Sequence, residues 1–264
     1  MVQQIDLRRL KQEAQDLVRN AQVSPKGMVV LYLGLILIMD MASALSGDVQ
    51  FLSTFLSILT TLLANVLSAG FILYCMAIRR GERCEYLTLF DGFSFVGKII
   101  LLSLLIQCIT SLWAMLFIIP GIIAHYRYRF ALLNLYENPE LGILDAMQLS
   151  SRQTYGYKFQ LFRLDVSYLG WSILASVPSI IYDGIIFNEA TRQAMDFMQS
   201  PGGVLPVIDP SVTVLPGWAW ILISGLWSLI IALVYLPQRR CVEVAFYEIA
   251  KSNSAEPTTP SLPE

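Results

Sequence analysis

Long apolar stretches alternate with short charged blocks along this chain, and several of the stretches exceed the reach of an ordinary core helix. At about 1.5 Å per helical residue, roughly 20 apolar residues cross a hydrocarbon layer near 30 Å. Residues 28–45, 51–78, 98–119, 164–187 and 217–236 meet that criterion. Ahead of them, Leu7, Leu10, Ala14, Leu17, Val18 and Ala21 recur at helical spacing opposite Arg8, Arg9, Lys11 and Arg19. The pattern predicts an amphipathic helix within residues 1–26, lying either on the membrane surface or against the protein's own polar loops. Ser24 and Pro25 suit the cap and first position of the next helix. A leader carrying Asp6, Glu13 and Asp16 is unlike the basic start of a signal peptide, so the first span is expected to stay uncleaved.

The middle of the chain is harder to divide. Pro120-Gly121 interrupts an apolar region that resumes through Ala124 and, beyond His125-Tyr126-Arg127-Tyr128-Arg129, through Leu133. Either a helix kinks there or the chain turns back and 120–136 forms a further span. Asn138, Pro139 and Glu140 then offer a cap, a first position and a favourable first-turn charge for a polar helix to about Thr154, with Gly156 suited to end it. Further on, Pro178 predicts a kink, and Trp218, Trp220 and Tyr235 sit where interfacial aromatics belong. Residues 238–251 can continue as a cytoplasmic helix, and 252–264, rich in Pro, Ser and Thr, read as a disordered tail.

Basic residues decide between kink and reversal, because short cytoplasmic segments accumulate Lys and Arg. With a reversal at Pro120-Gly121, the inner segments hold the clusters at 8–26, 79–98, 152–163 and 239–251, and the outer loops hold only Arg192. Without it, Arg127, Arg129, Arg152, Lys158 and Arg163 all face outward. The expectation is therefore an all-α polytopic membrane protein of about six spans. Residues 27–251 are expected to form one membrane domain with both termini cytoplasmic.

Composition narrows the chemistry. Of 264 residues, 55% are hydrophobic and 14% charged, against about a quarter charged in soluble proteins, and a net charge of −2 gives no footprint for nucleic acid. Cys75, Cys84, Cys108 and Cys241 show no CxxC spacing, and with His125 as the one histidine neither a metal site nor any cofactor is expected. Neither Gly92-Phe93-Ser94-Phe95-Val96 nor Ser224-Gly225 forms a nucleophile elbow, and Tyr182-Asp183 has no second partner for aspartyl chemistry. An enzyme is not expected.

The reversal places Arg127 and Arg129 inside a short fourth span, where an arginine at the centre costs roughly 2.5–3.5 kcal/mol on insertion scales. Pairing with Asp165, snorkelling to the interface or a wet cavity would each meet that cost. His125 stands one helical turn before Arg129, so the two share a face. His125, Arg127, Arg129 and Asp165 are thus the candidate contacts for an anion, a lipid headgroup or a substrate.

Ile119-Pro120-Gly121-Ile122, then Asn138-Pro139-Glu140, then Asp145-Ala146-Met147, Ser150-Ser151-Arg152 and the run from Gly156 to Phe162 form a specific combination. With Gly70, Arg80-Gly81-Glu82, Leu89-Phe90-Asp91-Gly92-Phe93, Gly170-Trp171 and Ala245-Phe246-Tyr247-Glu248, it resembles the bacterial membrane family catalogued as domain of unknown function 975. The resemblance runs from about residue 65 to 248. It implies membrane location and structural roles for Pro120, Gly121, Asn138, Pro139, Glu140, Ser150, Gly156 and Phe162, with no activity to transfer. The chain departs from the family in the basic cluster at 127–129 and in the long loop 188–216.

Two functions follow as expectations. One is a non-enzymatic membrane protein that binds lipid or a partner protein, a second copy included, through basic cytoplasmic helices. The other is a transporter or permease component with a basic intramembrane site.

Overall fold

A computed structural model describes residues 5–46, 50–199 and 215–255, and every regular element among them is helical. In chain order these are α1 Leu7–Asn20, α2 Pro25–Leu45, α3 Gln50–Arg79, a 3-10 segment Tyr86–Phe95, α4 Val96–Leu116, α5 Ile118–Arg127, α6 Ala131–Glu137, α7 Ile143–Gln153, α8 Lys158–Gln199 and α9 Gly217–Ala255. Five stretches are long and apolar enough to cross a membrane: Pro25–Leu45, Phe51–Arg79, Tyr86–Leu116, Lys158–Met195 and Gly217–Ser254. Residues 188–199 of the expected loop are the end of α8, and residues 252–255 of the expected disordered tail are the end of α9, because both helices run on past their apolar stretches. Residues 200–214 and 256 onward lie outside the described residues.

Helix α1 does what its pattern predicts, and its apolar face turns inward. Asp6 caps it, accepting from the Arg8 N–H at 2.9 Å, while Leu10 and Ala14 are buried against the rest of the protein. Lys11 donates to Ser167 at 2.8 Å, and Gln238 donates to the Lys11 carbonyl at 3.1 Å, so α1 lies across α8 and α9. Its partners are thus two long helices and not the polar loops.

The core gathers at this end, where α1 meets the C-terminal half of α9. Phe71, Tyr74, Phe130, Leu133, Leu161, Leu164 and the run Cys241 to Tyr247 are buried there. The long apolar stretches bury little inside the protein, none of the most hydropathic window of Lys158–Met195, for example. Helices able to cross a membrane need no such interior, because lipid tails solvate leucine as well as another helix does.

Between α3 and α4 the 3-10 segment lies directly on α3. A methyl group at Gly70 would overlap the Leu89 backbone, and one at Gly92 would stand 2.7 Å from the Val66 carbonyl oxygen. Two of the sequence landmarks are thus the two sides of one backbone contact.

The chain does turn back after α4, but at Phe117, three residues before the proline. Phe117 is extended (φ −155°, ψ 139°), and Pro120 sits within the first turn of α5, where a missing N–H costs nothing. α5 runs antiparallel to α4, with Gly121 against Ala114, and α6 continues with Ala131 and Leu135 against Leu102. A fourth span over 120–136 is not formed as one helix. The chain there is two short helices separated at Tyr128–Phe130, because Arg129 draws the backbone toward carboxylates on other helices. Residues 138–142 likewise form a turn, not the start of a helix. Gly142 in extended geometry is the N-cap of α7, so Asn138, Pro139 and Glu140 do not start that helix; Asn138 instead ends α6, its N–H donating to the Asn134 carbonyl at 3.0 Å. Gly156, at φ 81°, ends the α7 turn as expected.

Helix α8 passes through Pro178. The carbonyl four residues back, that of Leu174, loses its helical donor and takes the Trp227 indole N–H of α9 instead, at 2.8 Å. α9 likewise runs on through Pro237 into its polar half.

Candidate functional site

At the break between α5 and α6 the helical ladder leaves the Arg127 carbonyl and the Phe130 N–H without their usual partners. α7 supplies them. Ser150 accepts from the Phe130 N–H at 3.1 Å and donates to the Arg127 carbonyl at 2.9 Å, and Thr154 lies 3.2 Å from the same carbonyl. Both hydroxyl-bearing residues are fully buried. The serine-rich motif is therefore the clamp that holds the break open, as buried backbone groups demand.

What the break presents is Arg129. Its Nη1 and Nη2 lie 3.0 and 3.2 Å from the two carboxylate oxygens of Asp165 on α8, a bidentate pair, and its Nε donates to Glu243 of α9 at 2.8 Å. The side chains of Arg129, Asp165 and Glu243 are 14%, 21% and 7% exposed. Arg239 donates to Asp165 at 3.3 Å. Arg240 donates to Glu243 at 3.1 Å and to Ser68 of α3 at 2.9 Å. The Tyr126 hydroxyl donates to Asp165 at 3.0 Å, and His125 Nε2 stands 3.4 Å from Arg129 Nη1. Three guanidinium groups and two carboxylates from the break, α8 and α9 thus form one network, with Ser68 of α3 attached to it. Such a network ties α3, α8 and α9 to the break and fixes their register, a role better attested for buried charge than net stabilisation.

Of the candidate residues, the structure unites His125, Arg129 and Asp165 and leaves Arg127 outside. Arg127 is exposed, donates to Ser151 at 2.8 Å and lies over the Tyr128 ring. Phe162 packs edge-on against Tyr126. Glu140 is exposed. Sequence reasoning missed Glu243, Arg239, Arg240 and Ser68. The available signal was Glu243 itself, a carboxylate flanked by Val242 and Val244 in an apolar run that the C-terminal helix would have to bury.

A second cluster lies where the ends of α3 and α6 meet α9. Glu137 accepts from Tyr247 at 2.6 Å and pairs with Lys251 at 2.7 Å and Arg80 at 3.0 Å. Burial alone would raise the pKa of Glu137, yet the hydrogen bonds from Lys251 and Tyr247 and the charges of Lys251 and Arg80 outweigh it and hold the carboxyl below the usual carboxylate range. Asn134 and Gln153, both buried, exchange amide hydrogen bonds of 2.9 Å beside it. Lys98 reaches the Pro139 carbonyl, so the end of α6 lies level with the start of α4 and the end of α3.

Among the described residues no group of three or more His, Cys, Asp or Glu side chains is placed to hold a metal ion. Cys75 and Cys241 lie buried and reduced, sulfurs 3.7 Å apart.

A family model described as "Protein of unknown function (DUF975)" matches residues 114–254, which takes in the break, its clamp and every acidic and basic member of the Arg129 network. No curated protein and no solved structure matches the chain.

Proposed function

The chain belongs to the DUF975 family, whose description assigns no activity, and from that premise we propose a non-enzymatic, multi-pass protein of the bacterial plasma membrane that binds anionic lipid headgroups at its cytoplasmic, arginine-bearing end. The observation that carries this reading is a division among the arginines. Arg129 and Arg240 are turned inward onto carboxylates, whereas Arg8, Arg127 and Arg163 are exposed at the same end of the bundle. Arg8 and Arg163 border a cleft of about 330 Å³ between α1 and α8, in which the one carboxylate, Asp6, is engaged as the α1 cap. Exposed guanidinium groups at headgroup depth are suited to phosphate, each contributing on the order of 1 kcal/mol near an anionic leaflet.

The apolar face of α1 is spent on the protein's own core, so lipid contact falls to charge and not to insertion of that helix. Preference over the transporter reading rests on the saturation of Arg129. A substrate anion would have to displace both Asp165 and Glu243 to reach it.

The test is the thermal midpoint of the detergent-purified protein titrated with phosphatidylglycerol or phosphatidylcholine. Phosphatidylglycerol should raise the midpoint saturably, the effect should shrink with added salt, and Arg8→Gln/Arg127→Gln/Arg163→Gln should lose most of it. Equal shifts from both lipids would end the proposal.

A further inference from the structure

The α4–α5 hairpin reverses in a sequence with nothing to offer water. From Leu112 to Ala124 the only side chain able to form a hydrogen bond is Trp113. At the tip, Met115, Phe117, Ile118 and Ile119 are 88%, 71%, 76% and 72% exposed. In sequence, the segments between α2 and α3 and between α8 and α9 carry Asp48 and Asp209 respectively, and Arg192 stands in the last turns of α8. The hairpin is also short. α5 takes the chain only about 15 Å beyond the Arg129 network, at about 1.5 Å per residue, whereas α9 runs about 33 Å from Arg240 to Trp218 in its interfacial belt.

We propose that α4–α5 is a re-entrant hairpin: it enters the membrane from the polar end, reverses at Phe117 among the acyl chains near the middle of the hydrocarbon layer, and returns without reaching water. The inference goes beyond lipid binding at the polar end and changes the crossing number. α2, α3, α8 and α9 cross; α4, though long enough, does not. Four crossings keep both termini on one side, as the contact of α1 with α9 requires.

Backbone economy at the tip fits this placement. Irregular backbone in hydrocarbon is costly unless its polar groups are covered. The Phe117 N–H donates back to the Trp113 carbonyl at 3.0 Å and the Gly121 N–H to the Phe117 carbonyl at 3.3 Å. Pro120 has no N–H to satisfy, and Gly121 lets the two arms close to van der Waals contact at Ala114, so each shields the other.

The experiment uses full-length protein with Cys75, Cys84, Cys108 and Cys241 changed to alanine and single cysteines M115C, I118C or N188C. Both tip residues are exposed, so cysteine there disturbs little. In intact cells a membrane-impermeant maleimide should label N188C and neither tip variant. In proteoliposomes a bimane on either tip cysteine should be quenched several-fold more by a nitroxide on the acyl chain than by one on the headgroup. Tip labelling equal to that of N188C would overturn the proposal and establish a crossing. Tip bimanes shielded from both nitroxides, with the tip cysteines forming disulfide-linked dimers, would overturn it in favour of a second copy covering the tip.

Discussion

Ser150 shows how one hydroxyl can hold a local structure that no helix rule would maintain. It bridges both ends of the α5–α6 break, taking the Phe130 N–H and giving to the Arg127 carbonyl. Ser150→Ala leaves a buried donor unpaired, which costs about 1–3 kcal/mol, while Thr154 still covers the carbonyl. The expected outcome is a lowered thermal midpoint with helical content unchanged, read by circular dichroism. An unshifted midpoint would mean that the Phe130 N–H finds another acceptor. Glu243 is the more severe case. Glu243→Gln leaves Arg129 and Arg240 short of a counter-charge in a site where removing one partner of a buried pair costs about 3–5 kcal/mol. Asp165→Asn should cost less, because Asp165 is three times as exposed and water can replace part of what is lost. The same midpoints order the two variants, and the reverse order would contradict the burial argument.

Among the helices, the association of α8 with α9 turns on a proline. Pro178 frees the Leu174 carbonyl, and Trp227 supplies the N–H that the helix cannot. Between membrane-buried helices such a bond is worth about 0.6–2 kcal/mol. Trp227→Phe should therefore destabilise the protein in its natural background and do so much less in a Pro178→Ala background, where the alanine N–H closes the α8 ladder. A double-mutant cycle on unfolding in mixed micelles measures the coupling, and additive effects would show that the indole bond carries no energy. The reversal at Phe117 and the break at Tyr128–Phe130 belong to this scale too. Neither was legible in sequence at its true position. Pro120 drew attention to itself, but a proline is acceptable in a first turn, so the extended residue stands ahead of it. The turn at 138–142 was misread for a related reason: Asn-Pro-Glu satisfies helix-start statistics, but Lys98 engages the Pro139 carbonyl and the helix starts only at Ile143.

For the whole molecule, stability is concentrated at the polar end, where α1, α7 and the second half of α9 enclose an aqueous-style core. Glu137 joins α3, α6 and α9 there through Arg80, Tyr247 and Lys251. Its carboxyl is held below its ordinary value of 4.5, so its contribution is complete above that value and disappears as pH falls through the lower folded-state value. The protein should lose stability on acidification below about pH 4.5, and Glu137→Gln should be less stable at neutral pH but flatter across that interval. Midpoints measured from pH 7 downward for both proteins check this; parallel curves would assign the acid sensitivity elsewhere.

The sequence by itself determined the class and the long elements. Apolar runs of twenty or so residues admit no other reading in a chain this poor in charge, and helical periodicity at Leu7–Ala21 needs no tertiary partner to be seen. It also marked His125, Arg127, Arg129 and Asp165 as unusual, since charge beside apolar runs demands a partner, although it could not tell that Arg127 would stay exposed, outside the network. Only the tertiary structure decided who the partner was. Glu243 is far from Arg129 along the chain, and a single sequence carries no sign of which helices meet. The structure alone also decided that α1 serves the core, where the same amphipathic pattern would equally serve a membrane surface. Hydrophobic periodicity specifies a face to be covered; what covers it is settled by geometry.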